Sequence, residues 1–217
     1  MAIIEGGGLL SEFKGRFGNA VIYKLNGKTV MRTLPFGKRK KAQGKQKQYQ
    51  GDFAWVMKHM QRVKPFISQG FFHVAEGRSP FHTALSVNLK RYREAGMPAS
   101  PEWLLLSQGN LAGVNDLDLD KPENGTIVLR WGNPEAGTMS AADDVAMVLA
   151  LNSRTLNSTR ETSSVNRSAG QLTMRLPEIE KGDEVHFFIT FRNLFHPTYR
   201  KSPNEISTSQ WVGKVVI

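Results

Sequence analysis

Six of the ten residues from Lys38 to Lys47 are lysine or arginine, and none is acidic. Such a run is suited to neutralising the charge of phosphates or carboxylates. On a nucleic acid, each neutralised phosphate releases a condensed counterion, which drives binding. Lys14, Arg16, Lys24, Lys28 and Arg32 lie shortly upstream and can extend the field, while Tyr23, Phe36 and Tyr49 offer rings on which bases stack. The candidate polyanion-binding residues are therefore Lys28, Arg32, Lys38, Arg39, Lys40, Lys41, Lys45 and Lys47. The expected partner is a nucleic acid or an acidic protein surface. The bland alternative is a solvated loop that keeps the chain soluble.

Other constellations support chemistry less well. Asp116-Leu-Asp-Leu-Asp120 has the 1, 3, 5 acid spacing of a calcium loop, but Lys121 stands where that loop needs glycine and Ile127 where it needs glutamate. None of His59, His73, His82, His186 and His196 falls in a zinc-binding spacing. Asp143 and Asp144 are adjacent at a strand entrance and point to opposite faces. Gly15-x-x-Gly18 enters a strand rather than joining two helices, so it reads as a tight turn and not as a phosphate-clamping loop. Gly6-Gly-Gly8 has neither dinucleotide nor P-loop spacing, and no Gly-x-Ser-x-Gly elbow occurs. Lys90-Arg-Tyr-Arg93 ends a predicted helix, where cations complement the dipole. No catalytic residue, metal ligand or cofactor is expected.

The elements that must position the basic residues fall in two parts. The chain has 217 residues, 29 Lys+Arg against 19 Asp+Glu, a formal charge of +10 and 40% hydrophobic residues, enough for a packed core. It has no cysteine, which excludes disulfides, thiolate metal sites and thiol catalysis. Residues 1–100 hold 18 basic and 5 acidic side chains, a net +13, whereas residues 101–217 hold 11 and 14, a net −3. The turn-rich stretch from Ala95 to Pro101 marks the expected seam, giving domains 1–100 and 101–217.

The first part opens with a hairpin, Asn19–Leu25 and Lys28–Thr33 about Asn26-Gly27, a pair that tolerates the positive φ angles of a tight turn. Tyr49, Phe53, Val56, Met57, Met60 and Val63 recur at helical spacing and predict a helix that stops at Pro65. A second helix is expected from about Pro80 to Tyr92. In the second part, apolar or alternating runs at 103–106, 126–131, 145–152, 171–176, 185–192 and 210–217, with a further candidate at 155–164, predict strands. The expected fold is an α+β amino-terminal module, a β-hairpin plus two helices, followed by an all-β sandwich. That sandwich is of fibronectin III or immunoglobulin-like type, and lacking the Cys…Trp…Cys pattern it favours the fibronectin form.

Gly15-Arg-Phe-Gly-Asn19, Val21-Ile-Tyr23, Asn26-Gly27-Lys28, Val30-Met-Arg32-Thr-Leu-Pro35 and a helix with Gln46 and Phe53 form a recognisable amino-terminal signature. With Ser107-Gln-Gly109-Asn-Leu111, Ala141-Ala-Asp-Asp144 and Gly182-Asp-Glu-Val185, the chain resembles an uncharacterised family of similar length from Bacteroidota. The likeness runs over nearly the whole chain and departs at the basic stretch 38–47, with Gln50 in place of an arginine. It implies the two-part architecture, lends no activity, and lowers the expectation of an enzyme.

The functional expectation is a non-enzymatic structural or interaction protein whose basic half binds a polyanion or an acidic surface. The alternative is a component or cargo of a larger, phage-derived particle or a homo-oligomer, with the glycine-rich arm Ile3–Leu10 ordered by a neighbour. An enzyme with a site invisible in sequence is the third class. The start of the chain lacks a basic segment followed by an apolar run, and the longest dense apolar stretch, Val145–Leu151, falls far short of the ~20 residues that span a bilayer. The expectation is thus no membrane insertion and a cytoplasmic location, with particle association or signal-independent export as other routes.

Overall fold

The computed structural model describes the backbone of residues 2–4 and all of 14–25, 27–35, 37, 41–75, 77–120, 123–132, 138–193 and 205–217. The chain forms two compact units, Met1–Gly44 and Lys45–Ile217. The boundary thus falls at Gly44/Lys45, and the seam expected near residue 100 lies inside the second unit.

The first unit is a four-stranded antiparallel sheet. Its strands are β1 (Ala2–Ile4), β2 (Gly15–Phe17), β3 (Ala20–Leu25) and β4 (Lys28–Thr33), in the order β1-β4-β3-β2. The hairpin β3–β4 closes where expected, with Gly27 at φ +79° supplying the left-handed turn residue. Ile3 and Ile4 pair with Val30 and Thr29, so this part of the arm is held by its own chain. Asn26 and residues 5–13 lie outside the described residues.

The second unit begins with α1 (Lys45–Arg62), α2 (Lys64–Gly70) and α3 (Pro80–Glu94). The sequence predicts two helices, and the described residues hold three. Pro65 does not simply end α1; it occupies the first turn of α2, where the missing N–H costs nothing. Ser79 caps α3, its hydroxyl accepting the His82 N–H at 3.3 Å ahead of Pro80. The buried positions of α1 are Asp52, Val56, His59 and Met60, with Val63 just beyond it, whereas Tyr49 and Phe53 remain exposed at 52% and 44%. Those two aromatics share the helical period of the core stripe but lie beyond the core's edge.

A 3-10 turn (Pro101–Trp103) leads into residues 104–106, which are buried but form no strand. Backbone groups of Leu105 and Leu106 bond to side chains instead. Asn88 of α3 donates to the Leu105 carbonyl at 2.9 Å and accepts the Leu105 N–H at 2.6 Å, while Leu106 N–H donates to Ser209 Oγ at 2.8 Å. Where α2 ends, Gly70 meets this segment so closely that a Cβ there would lie 2.1 Å from the Leu106 carbonyl oxygen.

The remaining strands are β5 (Asp118–Leu119), β6 (Thr126–Arg130), β7 (Val145–Asn152), β8 (Ser158–Glu161), β9 (Gln171–Arg175), β10 (Glu184–Arg192) and β11 (Gln210–Val216). They form two antiparallel sheets, β5-β6-β9 and β11-β10-β7-β8. The four-stranded sheet is covered on both faces. Met147, Leu149, Leu151 and Phe188 join the core of the helices, while Ala146, Val148, Ala150, Phe187, Ile189 and Phe191 join β6 and β9. Strand side chains alternate between faces, so two apolar faces demand the unbroken apolar run Val145–Leu151. β6 and β9 alternate because their sheet uses only one face in this core.

Candidate functional site

The register of the first unit decides which basic residues act together. In an antiparallel pair, residues opposite each other share a face. Arg16 lies opposite Val21, which lies opposite Arg32; Tyr23 lies opposite Val30, and Leu25 opposite Lys28. One face therefore carries a row with Arg16 and Arg32 at its ends, then Tyr23, then Lys28. All three cations are exposed. The Arg32 guanidinium stands 5.7 Å from the centre of the Tyr23 ring, in cation–π range. Arg16 Nε donates to the Gly18 carbonyl at 3.2 Å, which steadies the turn into β3. Among the described residues, Arg16, Lys28 and Arg32 form no ion pair with a carboxylate. The opposite face holds the buried Ala20, Ile22 and Thr29, with Lys24 following Ile22 on that side, while Val30, opposite Tyr23 on the basic face, is buried too.

Of the candidate residues, the structure brings Lys28 and Arg32 onto one face. Lys41 is exposed on the segment after β4. Lys45 and Lys47 open α1 in the second unit, in a first turn that contains no acid. Lys38, Arg39 and Lys40, with the proposed stacking residue Phe36, lie outside the described residues. Arg16 belongs with Lys28 and Arg32, and Lys24 does not; strand alternation through the Asn-Gly hairpin was the signal that separates them.

The other chemistry-bearing residues serve packing. Asp120 pairs with Arg130, leaving the 116–120 acids as separate surface groups, and among the described residues no cluster of three His, Cys, Asp or Glu could hold a metal. In the last turns of α3, Arg91 donates to the Trp103 carbonyl at 3.0 Å and Arg93 pairs with Asp52 at 3.2 Å. The Arg93 guanidinium also lies 4.6 Å from the Tyr49 ring centre. Asp144 is fully buried and bound by Arg167 Nε at 3.1 Å, while Asp143 is exposed, so the adjacent pair does split. Asp183 is held by Arg154, by the Glu180 N–H at 2.9 Å and by Asn152 at 2.7 Å.

These buried groups set an acid response. Burial pushes the His186 and His59 imidazoles below their ordinary value. Both His186 ring nitrogens are buried without a hydrogen-bond partner; Glu184 stands 3.7 Å away and Lys214 of β11 lies opposite. The unfolded chain takes up these protons first, at about pH 6.5, so stability falls as pH drops below that value. Asp183 acts lower down. Arg154, then the Glu180 N–H, hold its carboxyl well below the usual carboxylate range, so its contribution persists above about pH 4 and is lost on further acidification. Thermal melts between neutral and mildly acidic pH are expected to show the first decline, and His186→Leu to make it shallower. An unchanged slope in that variant would exclude His186 as a source.

The fold defined here is a mixed α and antiparallel β protein with a basic sheet presented by a separate small unit. Among the described residues no helix is long and apolar enough to cross a membrane. Residues 12–194 match the model of a family of unknown function, DUF6266, and the chain belongs to that family. No curated protein matches the chain.

Proposed function

We propose that this chain is a non-enzymatic binding protein whose amino-terminal unit engages a nucleic acid through its phosphates. The observation that carries this reading is the single sheet face on which exposed Arg16, Lys28 and Arg32 surround Tyr23 with no carboxylate paired to them among the described residues. Local stability does not account for the lysines that follow. Lys45 and Lys47 occupy the first turn of α1, where each cation opposes the helix dipole by ~0.3–1 kcal/mol. An anion bound at this helix end would relieve that repulsion. Residues 1–44 carry nine Lys/Arg and two Asp/Glu, so the charge belongs chiefly to the small unit.

The larger unit serves as the scaffold in this reading. Its three-stranded β5-β6-β9 and four-stranded β8-β7-β10-β11 sheets share one core, which supports a fibronectin-like sandwich with a helical layer added on one side. Asp144 and Asp183 are engaged in buried or turn-closing bonds, as expected of structural rather than catalytic acids.

The test is fluorescence anisotropy of the full chain with labelled DNA over a range of salt. Binding should weaken steeply, and Lys28→Gln or Arg32→Gln should each reduce the slope of log affinity against log salt by about 0.7–0.9. Polyglutamate bound as tightly as DNA would transfer the site to an acidic protein surface. No binding to either at low salt, together with sedimentation as a large particle, would favour the structural-component reading instead.

A further inference from the structure

We infer that the basic sheet takes a single strand rather than a duplex, with one unstacked base piled on the Tyr23–Arg32 pair; this rests on the nucleic-acid reading above. The geometry is set by the register. Adjacent strands stand ~4.8 Å apart and residues on one face recur every ~7 Å, so Arg16 and Arg32 flank Val21 at a mutual separation of about 10 Å. Tyr23 lies about 7 Å further along β3, and Lys28 a further ~7 Å, on β4. The ring therefore sits in the middle of the cations rather than at their rim.

A duplex makes no use of such a ring. It presents phosphates, with its bases paired and stacked inside, and a tyrosine between cations meets only sugar and water. A single strand offers both groups the face displays. Its phosphates are caught by Arg16 on one side and Lys28 on the other, and the base between them turns onto an aromatic or guanidinium plane. Arg32 already lies over Tyr23 at 5.7 Å, so the pile is formed before the strand arrives and a base only lengthens it. Every base has a π face, so this contact is tolerant of sequence. The hydrogen-bonding edges a base would need for readout have no dedicated partner on this face, whose other positions are Val21, Leu25, Val30 and Ile3 of β1. Val30 is itself buried opposite Tyr23, so the single strand meets the exposed cations around the ring.

The experiment measures anisotropy of the full-length chain with labelled oligodeoxythymidine and with a duplex of equal length, for wild type, Tyr23→Phe, Tyr23→Leu and Tyr23→Ala. Circular dichroism checks that each variant is folded. The expected result is tighter binding of the single strand, retained in Tyr23→Phe and reduced by about 10-fold or more in Tyr23→Leu and Tyr23→Ala, with duplex affinity unchanged. Tyr23→Leu keeps an apolar side chain at this strand position, so its loss of binding reports the ring and not the fold. Equal affinity for the two probes, or full single-strand affinity in a folded Tyr23→Leu protein, overturns the inference and leaves general phosphate binding intact. Failure of the wild-type chain to bind either probe at low salt overturns both.

Discussion

Arg167→Ala is expected to destabilise the second unit by about 3–5 kcal/mol, the cost of stranding a buried charge. Arg167 sits in a 3-10 turn (Arg167–Ala169) with its side chain only 3% exposed, and Asp144 beneath it is fully buried. The guanidinium does several jobs at once. Its Nε donates to Asp144, its terminal nitrogens donate to the Gly113 and Ala112 carbonyls at 2.8 and 2.7 Å, and its plane lies 3.9 Å from the centre of the Phe191 ring. Asp144 in turn accepts the Ala141 N–H at 2.9 Å. Removing the arginine leaves a buried carboxylate and two carbonyls with fewer donors. Chemical denaturation measures the loss. The double variant Arg167→Met/Asp144→Leu should recover much of it, because an apolar pair of similar volume leaves no charge unpaired. A single-variant loss below about 1 kcal/mol, the scale of a surface ion pair, would mean the site is wetter than described.

Phe188→Ala is expected to cost a similar amount, about 3–5 kcal/mol, by opening a cavity between the helices and the central sheet. Phe188 has no exposed surface and belongs to the core shared with Val56, Met60, Phe66, Ile67 and Phe71. Its strand neighbours Phe187 and Ile189 face the other way, into the core shared with β6 and β9. The substitution thus removes packing from the helical layer alone, and Phe188→Leu should recover more than half of the stability. If the alanine variant unfolds with wild-type stability, the helices do not rest on this sheet through Phe188.

The strands of the second unit were legible where periodicity was unambiguous. β7 is found at Val145–Asn152 as expected, because an apolar run bounded by polar turns has few other uses. β6 and β9 announce themselves by alternation. The run 103–106 is equally apolar yet forms no strand; hydrophobicity reports burial, and here Asn88 and Ser209 bind the backbone that a neighbouring strand would otherwise pair. β5, two residues long, carries no pattern to read. α2 was hidden because proline stops one helix and starts another with the same letter. Charge and packing change at different points: net charge shifts near residue 100, whereas the contacts divide at Gly44.

The candidate site was legible in kind and partly in membership. The basic composition pointed to polyanions, and the Asn-Gly hairpin placed Lys28 and Arg32 four residues apart on one strand, hence on one face. Arg16 enters through the pairing of β2 with β3 across the two-residue turn Gly18-Asn19, a second hairpin that reads in the sequence only as a tight turn.

The doubly covered sheet has a consequence for how the chain is made. Val145–Leu151 is the segment most prone to self-association while unburied, and it leaves the ribosome after α1–α3. One side of β7 therefore finds its cover already synthesised, and on the other side β6 also precedes it, so that only β9 and the in-sheet partner β10 must wait for later residues. The order of elements along the chain shortens the exposure of its stickiest segment during translation.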